Sequence, residues 1–449
     1  MLEKNYFSME NISNYSISTL INNIFFHLTG FEYKDQLIIR VNNEKLSTNG
    51  DLYFPANLTI WKNLLVVKLD CNNDCNNILQ HYAHTRGIEL KEVDKNDTNE
   101  KVLQSFISAS KTWNYKITKC TLQKERICLF LDRPSVIKTI ISTIIEKGSS
   151  FGKNPSTNKE ICLTFHPDVQ SELTSTRLKL IKDVSERILD LQGYRICKKV
   201  CSNSIVLTHK FNGKRSKDCN TYLCGVVKNL ETNTKETMFT WSQYIHYKIK
   251  MIKEQNEHKY LNEDKQDIDS FLRNMAEGAI TFELLTIKPI RPVFVNVHTS
   301  ANRSLTNTKG IFFIFYNIVR IAAIIKKYDE GISNGDYPEL PDIKTVDFSI
   351  LDNESEWELI YNFMVGYSQA IENSVRHIPT FQICPQILCA FLSRLCQNFS
   401  IYYSKIKILT EGYKHLHSKL IARIYMLKAL EIILQNALAI LNIKSVSRM

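Results

Sequence analysis

Glycine is scarce in this chain, with 14 glycines among 449 residues. Phosphate-binding loops depend on closely spaced glycines, because only glycine lets the backbone approach a phosphate in the required conformations. The sequence contains no Gly-x-x-x-x-Gly-Lys-Ser/Thr loop, no Gly-x-Gly-x-x-Gly turn, no Gly-x-Ser-x-Gly elbow and no His-Glu-x-x-His pair. These absences exclude the common motifs of nucleotide-dependent enzymes, hydrolases and metalloproteases, and no catalytic residue is predicted.

A long hydrophobic run is also missing. The most apolar stretch, residues 311–325, includes Asn317 and Arg320 and is too short and too polar to span a bilayer. The first residues show no basic region followed by an apolar core, so we predict no secretory signal. We therefore expect a cytoplasmic protein with no membrane partner.

The twelve cysteines include no Cys-x-x-Cys knuckle. In a chain expected to be cytoplasmic, they are predicted to be reduced thiols. One group, Cys197, Cys201, His209, Cys219 and Cys224, combines residue types that bind zinc, but its spacings are looser than those of a zinc knuckle. Scattered thiols are the alternative interpretation, and the sequence leaves open whether these cysteines bind metal. We predict no metal site and no cofactor.

Positive charge is in excess, with 57 Lys+Arg against 46 Asp+Glu and a formal net charge of +11. The excess is concentrated between residues 195 and 260, which include thirteen basic and five acidic residues. Each basic side chain placed on a phosphate releases counterions and strengthens binding to nucleic acid. Candidate phosphate contacts in this basic middle region are Lys198, Lys199, Lys214, Arg215 and Lys217. An exposed polar loop is the alternative interpretation.

Length and pattern together predict three units, of class α/β plus all-α. Residues 1–152 form an N-terminal α/β domain, residues 153–305 a second α/β domain with a parallel crossover, and residues 306–449 a helical domain. The predicted elements of the first two units are a helix at 17–28, a long loop within 72–99, strands at 113–117 and 127–131, a helix at 135–147, a strand at 161–165, a helix at 175–191 and a strand at 194–196.

The C-terminal helical unit carries two regular apolar stripes. In residues 385–409 apolar side chains recur at steps of four and three, and residues 415–443 repeat the pattern, with Glu411-Gly412 between them. These stripes predict two amphipathic helices that bury their apolar faces against one another. Residues 401–449 contain eight basic and two acidic residues, together with tyrosines that are expected to be exposed. A basic surface with exposed tyrosines suits binding to a phosphate backbone with unpaired bases.

The same stretch resembles a known family. The run from Ala422 to Leu430, continuing to Asn442-Ile443, is similar to the last helix of the DALR anticodon-binding domain of arginyl-tRNA synthetases, with Asn442 where that family usually has glycine. Tyr316-Asn317-Ile318-Val319-Arg320-Ile321 resembles the segment that opens that domain, and the helix at 177–189 resembles the one after the first nucleotide-binding motif. The resemblance implies a degenerate Rossmann-like class I synthetase domain between an additional N-terminal domain and a DALR helical bundle.

The catalytic signatures of that family are missing from this sequence. Aligned without a gap, the His-x-Gly-His motif falls on Glu172-Leu173-Thr174-Ser175, which has neither histidine nor the glycine. No Lys-x-Ser-Lys loop occurs in residues 240–259. Those histidines stabilise a triphosphate during adenylate formation, and Glu172 would place negative charge beside an anion. The resemblance therefore points to a pseudoenzyme related to arginyl-tRNA synthetases.

A non-synthetase family with the same DALR domain is a further match, and it implies a specific role. The expected function is to recognise arginine tRNAs and to present them to a partner methyltransferase that forms 3-methylcytidine at position 32 of the anticodon loop, with no DNA partner. Predicted contacts on the anticodon side are Tyr316, Arg320, Tyr403, Lys405, Lys407, Arg423 and Lys428, whereas Tyr402 lies on the apolar stripe and is expected in the core. A divergent arginyl-tRNA synthetase and a structural subunit that uses the DALR fold for protein contacts remain alternatives.

Overall fold

The structure, a computed structural model, describes residues 16–33, 37–62, 64–65, 75–86, 95–199, 201, 203–210, 220–255, 265–296, 310–377, 380–410 and 413–446. None of the helices in these ranges combines the length and the apolar character needed to cross a lipid bilayer. The described hydrophobic core is continuous from Ile17 to Val446 and links all parts of the chain.

The N-terminal region is an antiparallel sheet with helices packed on it. Its elements are α1 Ile17–Thr29, β1 Arg40–Val41, α2 Leu46–Asn49, β2 Leu52–Pro55, α3 Leu58–Trp61, α4 Ile78–Thr85, α5 Lys95–Ser110, β3 Ile117–Gln123, β4 Arg126–Leu131 and α6 Arg133–Lys147. The strand order is β1-β2-β4-β3, and every neighbouring pair is antiparallel. Burial alternates along β2, as expected for a sheet with one face covered.

The middle region contains a parallel sheet. Its elements are β5 Glu160–Phe165, α7 Glu172–Leu191, β6 Arg195–Ile196, β7 Ser204–Thr208, β8 Asn220–Leu223, β9 Val227–Asn229, α8 Trp241–Gln255, α9 Lys265–Thr286 and β10 Val293–Val295. The sheet order is β6-β5-β7-β8 with parallel pairs throughout, while β9 and β10 form a separate parallel pair. The crossover from β5 through α7 to β6 confirms the predicted strand-helix-strand unit.

The C-terminal region is helical. Its elements are α10 Ile311–Ser333, α11 Glu354–Leu359, a π-helix at Ile360–Val365, α12 Tyr367–Ser374, β11 Val375–Arg376, β12 Gln382–Ile383, α13 Gln386–Lys405 and α14 His417–Ile440. Asn353 caps α11 through Ser355 N, and Glu356 completes the capping box on the backbone of Asn353. Asn442 follows α14 with a φ of 60°, in the left-handed region.

The two long C-terminal helices pack differently from the prediction. They were expected to bury their stripes mainly against one another, but α13 and α14 each contact α10 more extensively than they contact each other. α14 is buried around most of its circumference, because Ala422, Met426, Ala429 and Ile433 are buried together with the predicted stripe. α14 is therefore a central helix of the bundle and not an amphipathic one.

In the N-terminal region one prediction is tested only in part and another was wrong. The segment 72–99 was expected to contain a long loop; its described part includes α4 and the start of α5, while residues 72–74 and 87–94 lie outside the described residues. The strand predicted at 113–117 begins only at Ile117, because Trp113 and Tyr115 lie in the turn that follows α5. The predicted helices at 17–28 and 135–147 and the strand at 127–131 are confirmed within one or two residues.

A buried carboxylate joins the N-terminal sheet to the C-terminal helices. Asp51 Oδ2 accepts a hydrogen bond from Leu131 N at 2.8 Å, and Asp51 Oδ1 accepts one from Trp357 Nε1 at 2.8 Å. The carbonyl oxygen of Asp51 accepts a third bond, from the Tyr361 hydroxyl at 2.7 Å. The helices of the last third of the chain are thus fixed to a sheet formed by the first third.

Candidate nucleic-acid interface

A guanidinium group on α10 contacts two tyrosine rings at the surface of the C-terminal bundle. Arg320 Cζ lies 4.4 Å from the ring centroid of Tyr316 and 4.6 Å from that of Tyr403. Tyr316 and Arg320 are four residues apart on α10, so their side chains lie on the same helix face, and Tyr403 comes from α13. The structure therefore brings together three of the residues predicted from the sequence.

Short contacts hold this cluster in place. Arg320 Nη2 donates to the Tyr316 hydroxyl at 2.7 Å, and Arg320 Nη1 donates to Ser400 Oγ at 3.4 Å. The ring of Tyr403 also packs against Phe399, which is completely buried. Tyr316 and Tyr403 nevertheless remain 47% and 40% exposed, so part of each side chain is accessible to solvent. The prediction that Tyr402 lies in the core is confirmed, since its side chain is buried.

Arg423, predicted as a tRNA contact, lies in the interior instead. Its Nε donates to Glu356 Oε1 at 2.8 Å, and the Tyr402 hydroxyl donates to the same oxygen at 3.2 Å. Arg423 Nη1 also donates to the carbonyl oxygen of Lys407 at 3.2 Å. A fully buried carboxylate needs such a charged partner, and this requirement explains the position of Arg423. Its role is to position the segment after α13.

Two lysines near the end of α13 and one on α14 complete the predicted anticodon side. Lys405 and Lys407 are exposed and lie at and just beyond the end of α13. Lys428 is half-buried on α14 and lies close enough to Glu431 to lower the pKa of that carboxyl, against the larger effect of burial, which raises it. Lys405 and Lys407 therefore extend positive charge from the region of Tyr403, whereas Lys428 is partly covered.

Residues 314–449, which contain this cluster, match the family model described as the DALR anticodon binding domain. The C-terminal helical region is a DALR anticodon binding domain. The chain is also similar to curated relatives called DALR anticodon-binding domain-containing protein 3, with 29% identity over 234 residues in Danio rerio and over 180 residues in Rattus norvegicus. These alignments cover 51% and 38% of this chain, and 41% and 32% of the relatives.

Arginyl-tRNA synthetases are similar to the chain in sequence and in fold. The arginine--tRNA ligase of Borrelia hermsii is 30% identical over 192 residues, which are 42% of this chain and 29% of that enzyme. The chain thus spans well under half the length of the curated relatives it matches. The solved arginyl-tRNA synthetases of Thermus thermophilus and Plasmodium falciparum superpose with TM-scores of 0.60 and 0.61, at 9% and 11% identity.

These superpositions cover 96% of this chain and 100% and 99% of the two synthetase chains. At such low identity they establish the fold alone. The predicted fold class, α/β regions followed by a DALR helical bundle in a synthetase-like arrangement, is confirmed. The predicted domain limits at 152/153 and 305/306 stay predictions, and the second of these lies outside the described residues.

The basic middle region lies outside the DALR domain and is described only in part. Lys198 and Lys199 are exposed just after β6. Lys214, Arg215 and Lys217 lie outside the described residues. Lys198 and Lys199 therefore remain accessible candidates for a phosphate backbone, next to the edge strand of the parallel sheet.

The cysteine group does not assemble into a recognisable metal site in the part of the chain that the structure describes. Cys197 and Cys201 are half-buried, Cys224 is buried, and Cys219 lies outside the described residues. Burial raises the pKa of the Cys224 thiol to about 12, which disfavours the thiolate that binds zinc. His209 faces Asp168, with His209 Nε2 and Asp168 Oδ2 3.4 Å apart. Among the described residues, no group of three or more ligand-type side chains is placed to hold a metal ion.

A cavity of about 420 Å³ lies at the carboxyl ends of β5 and β7, where the strand order reverses. Asp168 lines this cavity and forms an ion pair with Lys235. Burial raises the pKa of Asp168, but the hydrogen bond from Lys235 and a backbone hydrogen bond outweigh that effect and lower it overall. The carboxylate is therefore ionised, and it brings negative charge to the edge of the sheet where α/β folds bind ligands.

Arg177, which the sequence did not identify as important, is a buried cation that holds this region together. Its Nη1 donates to the carbonyl oxygens of Gly225 at 2.6 Å and Arg291 at 2.8 Å, and its Nε donates to that of Leu284 at 3.2 Å. Burial lowers the pKa of Arg177 to about 10, so the guanidinium stays charged at neutral pH. Its place inside an amphipathic helix gave no sequence signal, because charged residues on such a helix are usually exposed.

Proposed function

We propose that this chain is a tRNA-binding protein that contacts the anticodon loop through the DALR domain surface formed by Tyr316, Arg320, Tyr403, Lys405 and Lys407. The observation that carries this proposal is the contact of Arg320 with two half-exposed tyrosine rings on a domain matched to the anticodon-binding family. Aromatic and guanidinium planes are the groups on which proteins stack unpaired bases.

The local electrostatics support a single-stranded RNA target. Lys405 and Lys407 supply positive charge near the rings, and each contact with a phosphate adds a salt-dependent contribution to binding. An exposed tyrosine that stacks on a base contributes about 1–3 kcal/mol. An anticodon loop offers both unpaired bases and a continuous phosphate backbone. Lys198, Lys199, Lys214, Arg215 and Lys217 are proposed as additional phosphate contacts, and Lys428 as a peripheral one.

The proposed role of binding is to present arginine tRNAs to a methyltransferase that forms 3-methylcytidine at position 32. The sequence has no Gly-rich loop of the kind that binds S-adenosylmethionine, so the methyl group would come from the partner enzyme. The curated relatives are named for an anticodon-binding domain, in keeping with a contact near the modified nucleotide.

Aminoacylation is not part of this proposal. Glu172 occupies the first turn of α7, where the family's His-x-Gly-His motif would align. A triphosphate at that position would meet a carboxylate in place of the motif's histidine donors and close-approach glycine. This difference supports a role without adenylate formation.

The experiment that tests the proposal measures tRNA binding by the full chain at near-physiological salt, followed by sequencing of the RNA that copurifies with it. We expect enrichment of arginine tRNAs, and 3-methylcytidine formation that increases when this protein is added to the methyltransferase. A chain that shows no preference for tRNA over an unrelated RNA of equal length would contradict the proposal.

The synthetase-like fold makes catalysis the first alternative. Arginine-dependent exchange of pyrophosphate into ATP discriminates between a synthetase and a non-catalytic tRNA-binding protein, because only an active synthetase catalyses it. A purely structural subunit is the second alternative. Ultraviolet crosslinking in cells that recovers no tRNA would favour that reading.

A further inference from the structure

The guanidinium group of Arg320 lies among uncharged side chains. In the described part of the chain Arg320 forms no ion pair, and its Nη atoms donate instead to the hydroxyl groups of Tyr316 and Ser400. Arg320 is only partly exposed, and the rings of Tyr316 and Tyr403 both lie against it. Lys405, by contrast, is exposed at the end of α13. The two cations of this surface therefore have different surroundings, which indicates different roles.

Arg320 also connects the two helices that carry the exposed tyrosines. It lies on α10, whereas Ser400 and Tyr403 lie three residues apart on α13 and so face the same side of that helix. One side chain thus contacts the ring of its own helix together with a ring and a hydroxyl group of the facing helix. A guanidinium group can make these contacts at once, because its planar face stacks on aromatic rings while its edge donates hydrogen bonds.

The rings that Arg320 contacts are exposed enough to need such support. An exposed aromatic side chain loses conformational freedom when a base stacks on it, and this loss weakens binding. Phe399 restrains the ring of Tyr403 from within α13, and Arg320 restrains it from α10. Fixing a ring before the RNA arrives removes a cost that corresponds to about twofold to tenfold in affinity for each ring.

We propose that Arg320 is a positioning residue, which holds Tyr316 and Tyr403 as one preformed platform for an unpaired base and does not itself bind a phosphate group. The inference rests on the proposed function, because it requires that the DALR surface binds tRNA. It divides that surface into a stacking platform supported by Arg320 and a phosphate-binding part formed by Lys405 and Lys407. Arg320 thus strengthens tRNA binding through the two rings.

The first test compares tRNA binding by the full wild-type chain, Arg320→Gln and Arg320→Lys between low and physiological salt. Both variants should bind about fivefold to tenfold more weakly, because neither has a planar cation to hold the rings. The slope of log Kd against log salt should stay that of the wild type, because a positioning residue releases no counterions. Lys405→Gln, which removes a phosphate contact, should reduce this slope by about 0.7.

Two results of this comparison would overturn the proposal. Wild-type affinity in Arg320→Lys would show that a positive charge alone is sufficient at this position. A slope that falls by about 0.7 in Arg320→Gln would identify Arg320 as a phosphate contact. Arg273→Gln is the matched control, because Arg273 is an exposed arginine on α9 that pairs with Glu277, and it should leave both affinity and slope unchanged.

A double-mutant cycle tests whether Arg320 acts through Tyr403. Arg320→Gln should weaken tRNA binding by at most about twofold when Tyr403 is already replaced by alanine, because one of the two rings that it holds is then absent. Equal losses in the wild-type and Tyr403→Ala backgrounds would show that Arg320 contributes independently of that ring, and would refute the proposal. Circular dichroism and thermal unfolding of each variant confirm that the helices remain. A wild-type chain that does not bind tRNA would contradict the proposed function itself, so the two failures are distinguishable.

Discussion

Arg423 Nε and Glu356 Oε1 form a hydrogen-bonded ion pair 2.8 Å long in the interior of the DALR domain. The pair connects α14 to the capped start of α11, and Arg423 extends the connection to the carbonyl oxygen of Lys407. The chain segment just beyond α13 is therefore held from inside the domain. The buried Arg423 thus helps to determine the position of the exposed Lys407.

The first prediction concerns this ion pair. Arg423→Met should lower the free energy of unfolding by about 3–5 kcal/mol, because it leaves the carboxylate of Glu356 buried without a counter-charge. Lys419→Met is the control, since its pair with Asp352 is exposed on the acidic side and should contribute at most about 1 kcal/mol. The measurement is denaturant unfolding of both variants. If Arg423→Met loses no more unfolding free energy than Lys419→Met, the buried pair is not needed for stability.

The second prediction concerns the proposed tRNA surface. Replacing Tyr403 and Lys407 together by alanine should weaken tRNA binding by about 2–3 kcal/mol, from the loss of a base stack and a phosphate contact. Tyr403→Phe keeps the aromatic face and should bind tRNA nearly as well as the wild-type chain. Filter binding at constant salt gives the affinities, and circular dichroism confirms that the helices remain. Unaltered affinity of the double variant would rule out this surface.

Sequence periodicity anticipated the two long C-terminal helices but not how they pack. A spacing of three and four residues identifies an apolar stripe, and it located α13 within a few residues. It cannot reveal that α14 is also buried on its other faces, because alanine and methionine at positions such as Ala422 and Met426 are compatible with either environment. The burial of Arg423 depends on Glu356, 67 residues earlier, and no local pattern encodes that contact.

The candidate site shows the same division between local and distant information. Tyr316 and Arg320 are related by one helical turn, so their proximity could be read from the sequence. The approach of Tyr403 to Arg320 depends on the packing of α10 against α13, and no local pattern in the sequence predicts it. Asp168 and Lys235 were not anticipated, since their ion pair joins the loop after β5 to a residue beyond β9.

The third prediction concerns the basic middle region. If Lys198 and Lys199 contact phosphates, the Lys198→Glu/Lys199→Glu variant should reduce the slope of log Kd against log salt by about 1.4–1.8, since each lost contact removes roughly 0.7–0.9. Lys326→Glu on α10 serves as the control, because Lys326 is exposed and pairs with Glu330 at 3.7 Å in an acidic segment. The observable is tRNA affinity between low and physiological salt. An unchanged slope of log Kd against log salt would show that Lys198 and Lys199 do not contact phosphates.

The fourth prediction concerns the pH dependence of stability. Burial raises the pKa of Asp51 to about 6, against the lowering effect of hydrogen bonds from Leu131 and Trp357, while the unfolded chain has the ordinary value of 3.8. Between these values the folded state binds the proton that the unfolded state releases, so the stabilising contribution is complete below about pH 4 and is lost as the pH rises through about 6.

Comparison with Asp51→Asn isolates this effect, because asparagine cannot titrate. Relative to Asp51→Asn, the wild-type chain should lose on the order of 2–3 kcal/mol of unfolding free energy between about pH 4 and about pH 7.5. Asp336→Asn, at an exposed turn, should show no comparable trend. A difference that stays flat across this range would mean that the bonds from Trp357 and Leu131 keep Asp51 ionised throughout, and that the junction between the sheet and the DALR helices is insensitive to pH.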